Sequence, residues 1–304
     1  MPPPRQVVLG LGSNLGGRVS LLRAAADLLA WRLRAPRATP APVWRTAPVG
    51  PPQPDYLNTA VSFETALDLE RVLDVALATE SSLGRVRRER WGPRTLDADL
   101  LWHDGPPTHT HRLDVPHPEL ARRPFALAPL LALAPHARDE AGAPLSTLDL
   151  ARSAPGARVL DRLGDAFEVE EVSHTADEGF VVRALDRADL FAAAAEALGA
   201  IVVDPRTVAP RVVRSLRVEA DPDDDARMVA WLSEVLYAVD SGRFALRRVA
   251  VLDDGDGGLD AVLVGEELDE TRHRTRTAVK AITWHGLDVR GGPDGWRAQV
   301  IVDI

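Results

Sequence analysis

The sequence predicts two α+β units joined near residue 160. Three observations carry this. The chain has 304 residues, more than one ordinary core needs. Its charge changes partway: residues 1–160 carry 19 basic and 16 acidic side chains, and residues 161–304 carry 17 and 29, so the halves stand at +3 and −12. The first half reads strand, helix, strand, strand, helix, strand, which fits a layered α+β domain and not a long βαβ series. The expected domains are therefore 1–160 and 161–304.

The elements follow in order. "RQVVLGLGS" (5–13) is an apolar run with strand character, followed by a glycine loop, "GSNLGG". "RVSLLRAAADLLAWRLR" (18–34) has apolar residues at helical spacing. A Pro-rich stretch leads to "LNTAVSFET" (57–65), a strand. "LDLERVLDVALATESSLG" (67–84) is an amphipathic helix stopped by Gly84. An arginine-rich loop precedes a buried strand at Leu96–Trp102, and "RRPFALAPLLALAP" is a short helix between prolines. Residues 137–164, rich in Ala, Gly and Pro, predict a terminal helix plus linker. From Phe167 the order is strand, tight turn at "HTADEG", strand, helix 187–200, a strand near 211–219, helix 223–240 and several strands.

Composition excludes several classes. The chain is 45% hydrophobic and 27% charged, and no stretch approaches the roughly 20 apolar residues of a membrane span. The start lacks a secretory signal pattern, so a cytoplasmic protein is expected. There is no cysteine, which rules out disulfides, thiolate nucleophiles and cysteine-held metals. The first half has no strong basic field and the second is acidic, which argues against direct nucleic-acid binding. Of 36 basic residues 35 are arginine, leaving Lys280 as the one lysine. That amine is either a chance surface group or a functional point charge.

The first half offers one dense chemical stretch. "GLGSNLG" is one residue too long for a dinucleotide fingerprint, and no P-loop pattern exists. "GRVRRERWGPR" instead supplies Arg85, Arg87, Arg88, Arg90 and Arg94, whose forks match phosphate oxygens. Directly after come Asp97 and Asp99, which alternation places on one strand face, about 6–7 Å apart. Two carboxylates there either form salt bridges on a solvated face or hold a cation. Magnesium takes one or two carboxylates and completes its shell with water and phosphate. In the second half, "SHTADEG" is either a turn whose Thr and Asp bond backbone amides or part of an oxygen-ligand calcium site with Asp303 and the Ile304 carboxyl.

Taken together, "GSNLG", "RTAPVGPPQPDYLN", "ESSLGRVRRERWGPRTLDADLL" and "VPHPELARRPFALAPL" closely resemble 6-hydroxymethyl-7,8-dihydropterin pyrophosphokinase over residues 5 to 155. The resemblance implies a ferredoxin-like α+β fold and transfer of pyrophosphate from ATP to a reduced pterin with two magnesium ions. It implies catalytic roles for Arg85, Arg94, Asp97 and Asp99, with Asp97 and Asp99 as the Mg2+ ligands. Gln53, Glu80, Arg87, Arg90, Trp91 and His117 would contact ATP. Asn58, Tyr56, Phe125 and Arg123 would bind the pterin. The loops "VGPPQP" and "RVRRERW" are each one residue shorter than in relatives, Ala98 replaces a larger apolar residue, and Asp114 stands where a neutral one is common. His103, His109 and His111 match nothing and are read as loop residues.

"SHTADEGF", "ALGAIVVDP", "WLSEVLYAVD", "GEELDETRH", "TAVKAITWHGLDV" and "WRAQVIVDI" resemble archease over residues 165 to 304. This implies a small α+β domain that binds Ca2+ through Asp177, Asp303 and Ile304 and assists an RtcB-type RNA ligase. It is not an enzyme by itself. Lys280 would face that partner. Ser173 occupies a position often held by aspartate. The alternative is an active pyrophosphokinase whose second half serves only association.

Overall fold

The fold was analysed in a computed structural model that describes residues 3–48, 50–86, 92–148, 156–173, 178–255 and 257–304. The first unit is built on β1 (Arg5–Ser13), in which every residue from Val7 onward is buried, as a central strand requires. Then come α1 (Arg18–Arg32), β2 (Ala38–Pro40), β3 (Val43–Thr46), β4 (Tyr56–Thr65), α2 (Leu69–Ser82), β5 (Asp97–His103), β6 (Thr108–His109), β7 (Asp114–Val115), α3 (Pro124–Leu133) and β8 (Ala157–Leu160). The main sheet runs β5-β1-β4-β3-β8 with antiparallel neighbours, and β2 also pairs with β4. Counting the four longer strands in chain order, the order is fourth, first, third, second. That is the arrangement the ferredoxin-like expectation calls for.

Local chemistry sets the ends that matter. Asp68 caps α2, its carboxylate accepting the Arg71 amide at 2.8 Å. Gly84, at φ +75°, takes the left-handed conformation that stops this helix. The Arg85 amide then donates back to the Glu80 carbonyl at 3.1 Å, so the chain leaves α2 with Arg85 turned towards β5. On one sheet face α3 covers the part around Val8, Ala60 and Leu101.

Two expectations are corrected. Among the described residues of 137–164 there is no terminal α-helix: Leu145–Thr147 is a 3₁₀ turn, and β8 joins β3 with Arg158 opposite Trp44. Low strand propensity is overridden here by pairing with a distant strand. His103 and His109 are strand residues and not loop residues. His103 is buried at the end of β5, where its Nδ1 accepts the Gly105 amide at 3.0 Å. His109 lies in β6 and contacts Asp114 at 3.0 Å, and His111 sits in the bend that follows.

The second unit contains β9 (Glu168–Ser173), β10 (Glu178–Ala184), α4 (Arg187–Val202), β11 (Val212–Val218), α5 (Asp224–Val239), β12 (Phe244–Asp253), β13 (Leu259–Glu267), β14 (Ala281–Ile282), β15 (Asp288–Gly292) and β16 (Gly295–Asp303). One sheet runs β14-β16-β10-β9 with β15 also on β16, and the other runs β11-β13-β12. The alanine-rich α4 is buried nearly all round and packs on β10, β12, β16 and α5. Its small side chains let these layers approach closely. Trp231 of α5 is fully buried, and its indole N–H donates to the Phe191 carbonyl at 2.9 Å.

By its internal contacts the chain divides into two compact units, Met1–Leu15 with Ala25–Asp165 and Gly16–Ala24 with Ala166–Ile304. Among the described residues no helix is long and apolar enough to cross a membrane.

Candidate active site

Strand register assembles the first site. Gly12 is paired with Asp97 on one side and with Asn58 on the other, and Asn58 is paired with Trp44. Directly opposed residues of antiparallel strands share a face. Asp97, Gly12, Asn58 and Trp44 therefore form one row across four strands. A second row runs from Asp99 through Gly10 to Ala60. This face is the floor of a cavity of about 520 Å3. Arg85, Arg94, His117, Arg123, Phe125 and Tyr56 close its sides.

In the sequence, Gly10 and Gly12 belong to a stretch one residue too long for a dinucleotide fingerprint, and Gly12 also opens "GSNLG". Their place in the register explains them better. A Cβ on Gly12 would lie 2.6 Å from Asn58 Oδ1, and one on Gly10 would meet Leu101 at 2.9 Å. Side chains here would fill the floor.

The charged wall is tightly ordered. Asp97 accepts Arg85 at 2.6 Å through one oxygen and Arg94 at 3.0 Å through the other. Arg85 also bonds Glu80, which is buried and accepts the Ala98 amide at 2.9 Å. Burial pushes the Glu80 carboxyl up. Asp99 faces Arg123 at 3.6 Å. Burial first, and the charge of Asp97 second, push Asp99 up to about 6. Asp97 and Asp99 form an all-oxygen donor pair, the kind of ligand set that suits a hard divalent cation.

The neutral groups are ordered as well. His117 Nδ1 accepts the Glu119 amide at 3.1 Å, so its proton sits on Nε2. Burial, then Arg123, holds its pKa below the usual histidine value. His117 is thus a neutral donor at pH 7. Asn58 donates to Thr46 Oγ1 at 2.8 Å, which fixes its amide and leaves the carbonyl over Gly12. Phe125 opens α3 directly after Pro124, the first helical residue.

Two expected ATP contacts, Gln53 and Glu80, do not line this cavity. Glu80 reaches it through Arg85, and Gln53 Oε1 accepts the Asn14 amide at 2.9 Å. Arg87, Arg90 and Trp91 lie outside the described residues. Sequence reading passed over Asn14, which is buried. It donates to the Pro54 carbonyl at 3.1 Å and accepts the Arg94 amide at 2.8 Å, tying two loops to the end of β1. A short polar residue directly after an apolar strand was the signal available.

In the second unit, Lys280 is exposed and its Nζ donates to the Ile304 carbonyl at 2.8 Å. Its amide donates to the Asp303 carbonyl at 2.8 Å, and Ala281 is paired with Asp303 in β16. Asp177 lies outside the described residues. Among the described residues no three His, Asp or Glu side chains gather as a metal site.

Comparison with known proteins follows this division. Residues 8–135 match the family model of 7,8-dihydro-6-hydroxymethylpterin-pyrophosphokinase, and residues 169–304 match that of the Archease protein family. The chain is 40% identical over 128 residues to a 2-amino-4-hydroxy-6-hydroxymethyldihydropteridine pyrophosphokinase of Synechocystis, covering 42% of this chain and 66% of that one. The enzyme of the same name from Methylorubrum extorquens is also 40% identical over 128 residues, covering 42% and 81%. The one from Bacillus subtilis is 38% identical over 134 residues, covering 44% and 80%. The match thus spans just under two thirds of the Synechocystis relative and about four fifths of the other two. A solution structure of Methanobacterium thermoautotrophicum protein 1598 is 28% identical, covering 46% of this chain and 99% of that one, at a TM-score of 0.39.

Proposed function

The chain belongs to the 7,8-dihydro-6-hydroxymethylpterin-pyrophosphokinase family through its first half and carries an archease domain in its second; from this we propose that residues 1–160 transfer pyrophosphate from ATP to 6-hydroxymethyl-7,8-dihydropterin. The observation that carries the reading is the pair of rows just described. They put two carboxylates, an arginine wall and an amide-bearing floor in one cavity large enough for a heterocycle and a triphosphate.

In this reading Asn58, with Tyr56 beside it, reads the polar edge of the pterin, and Phe125 stacks on its ring. Arg85 and Arg94 hold phosphate oxygens, and His117 donates through Nε2. Arg123 lies between Asp99 and the pterin side. Asp97 and Asp99 would hold two magnesium ions, which when bound neutralise the triphosphate. The hydroxymethyl oxygen forms a bond to the β-phosphorus as the bond from that phosphorus to the α-bridging oxygen breaks. AMP leaves with that oxygen, and the hydroxyl proton passes to water. Such a transfer asks the protein mainly for in-line positioning and charge compensation. Glu80 and Gln53 support ATP indirectly through Arg85 and Asn14, and Arg87, Arg90 and Trp91 would reach it from the loop after Arg85. The test is AMP release from ATP that depends on both pterin and Mg2+. Its absence in the folded chain would remove the assignment.

Gly12→Ala gives a sharper check. Its backbone is outside the left-handed region, so alanine is tolerated there, but the new methyl displaces the Asn58 carbonyl. We expect a KM for pterin raised about tenfold or more, with KM for ATP changed much less and the melting temperature nearly unchanged. Equal changes in both KM values would place Asn58 away from the pterin.

For residues 161–304 we propose an accessory role to an RtcB-type RNA ligase in the cytoplasm. Ca2+ would be held by Asp177, Asp303 and Ile304, with Lys280 presented to the partner. The support is the exposed Lys280 seated at the end of β16. The full chain should stimulate guanylylation of the ligase, and Lys280→Arg should lower that stimulation several-fold. Undiminished stimulation would make Lys280 an ordinary surface lysine.

A further inference from the structure

The acidic second half contains several acid-free segments, and one of them forms a strap near the C-terminal strand. From Arg272 to Leu287 there are four cationic side chains, Arg272, Arg274, Arg276 and Lys280, and no Asp or Glu. Arg272 turns inward to Glu266 and Asp269. The remaining cations face solvent.

The segment is a strap pinned by its backbone. The Arg274 carbonyl accepts the Asp204 amide at 2.9 Å, Thr275 bridges Val203, and the Arg276 amide donates to the Val202 carbonyl at 2.8 Å. Further on, the Lys280 and Thr283 amides donate to the Asp303 and Ile301 carbonyls at 2.8 and 3.1 Å. With its backbone fixed in this way, the strap presents its side chains as a row. Arg274 and Arg276 flank the bridged Thr275 and so point to one side, about 6–7 Å apart.

The Arg274 amide donates to Thr207 Oγ1 at 3.3 Å, which sets it against the turn that carries Arg206. The Arg206 side chain is 79% exposed and that of Arg276 is 40% exposed. Both contact Asp204, at 2.7 and 3.8 Å. One carboxylate therefore faces two guanidiniums. Arg274 is exposed and has no side-chain partner among the described residues. Trp284, near the far end of the strap, is 62% exposed.

We propose that this strap docks single-stranded RNA, with Arg206, Arg274 and Arg276 on successive phosphates and a base stacked on Trp284. Arginine forks suit phosphate oxygens, and an open indole face suits any base. The net charge of the half argues against a duplex, whose field extends over the whole surface. A single row of cations needs only local complementarity. The overall acidity thus describes the unit and not this strip. The proposal does not depend on the ligase reading.

The test uses the full chain and a fluorescein-labelled oligouridylate, read by anisotropy. Saturable binding is expected at low salt, with a log–log salt slope near −2, as about three neutralised phosphates imply. The Arg274→Glu/Arg276→Glu double variant should weaken binding at least tenfold, and Trp284→Ala about tenfold. Arg217→Ala, at an exposed arginine on β11, should leave it unchanged. Thermal melts and pterin-dependent AMP formation confirm that each variant is folded. No saturable binding at low salt, or equal weakening by Arg217→Ala, overturns the proposal. So does loss of ligase stimulation in the strap variants when the parent chain binds no RNA, since the strip would then be a protein-docking surface.

Discussion

Asp97→Ala should lower pterin-dependent AMP formation by about a thousandfold while leaving the chain folded. Asp97 touches both Arg85 and Arg94 of the cavity wall, at 2.6 and 3.0 Å. It also stands on the row that carries Asn58. On the proposed reading, removing it takes away a magnesium ligand, and it releases two guanidiniums from their present positions. Loss of a single preorganised electrostatic group commonly costs 10²–10³-fold, and here two functions are lost together. The fold should survive, because Arg85 keeps Glu80 and the Arg94 amide keeps Asn14. Asp97→Asn should lose nearly as much, since shape is kept but charge is not. The measurement is single-turnover AMP release across a Mg2+ titration. A loss below tenfold would reduce Asp97 to a salt-bridge partner.

Glu266→Ala should destabilise the second unit by about 3–5 kcal/mol, the usual result of breaking a buried ion pair. The Glu266 carboxylate is 3% exposed and collects donors from two segments. These are the Ala209 amide at 2.8 Å, Arg272 at 2.9 Å, Arg211 at 3.2 Å and His273 Nε2 at 3.0 Å. His273 Nδ1 accepts the Asp269 amide at 2.9 Å, which leaves the proton on Nε2 for Glu266. Burial alone would raise this carboxyl. The hydrogen bonds from Arg272, Ala209 and His273 and the charge of Arg211 outweigh burial and lower it from 4.5 to about 2.

A depressed folded-state value gives stability that is present above the unfolded pKa and lost as pH falls through the folded one. The window is therefore about pH 4.5 to 2, and the shift corresponds to on the order of 3 kcal/mol. Chemical denaturation followed by circular dichroism at pH 7 and pH 3 should show this fall. The alanine variant should melt on the order of 10 °C lower at pH 7 and show a shallower acid slope, by about one proton. An unchanged slope would place the acid sensitivity elsewhere, for instance at Asp269, which is also lowered to about 2.

How much of this was legible depended on the range of the interaction. The strand at 5–13 announces itself by its apolar run and the one at 57–65 by its β-branched and aromatic residues, and alternation suffices to put Asp97 and Asp99 on one face. Gly84 marks the end of α2 because only a left-handed residue turns the chain there. What alternation cannot supply is the neighbour. Nothing in "GLGS" says that Gly12 lies between Asp97 and Asn58, and nothing in the Ala- and Gly-rich tail says that Arg158 will sit opposite Trp44. Glu80 shows the same limit. Its motif suggested an ATP contact, yet burial in α2 makes it a support for Arg85. In the second half the resemblance points to Lys280, while the Glu266 cluster forms only when the distant segment 209–211 meets the turn at 266–273. Average charge also hid a local strip whose exposed arginines appear only once Arg272 is seen to turn inward.

The row from Asp97 through Gly12 and Asn58 to Trp44 bears on how this chain can change length. A residue inserted into β1 between Gly10 and Gly12 would turn Gly12 to the opposite face and bring a new side chain up against Asn58. The same insertion in the loop around Gln53 would cost only a little closure entropy. Insertions and deletions are therefore expected to collect in the loops that border the cavity, and the four strands beneath it should keep their lengths.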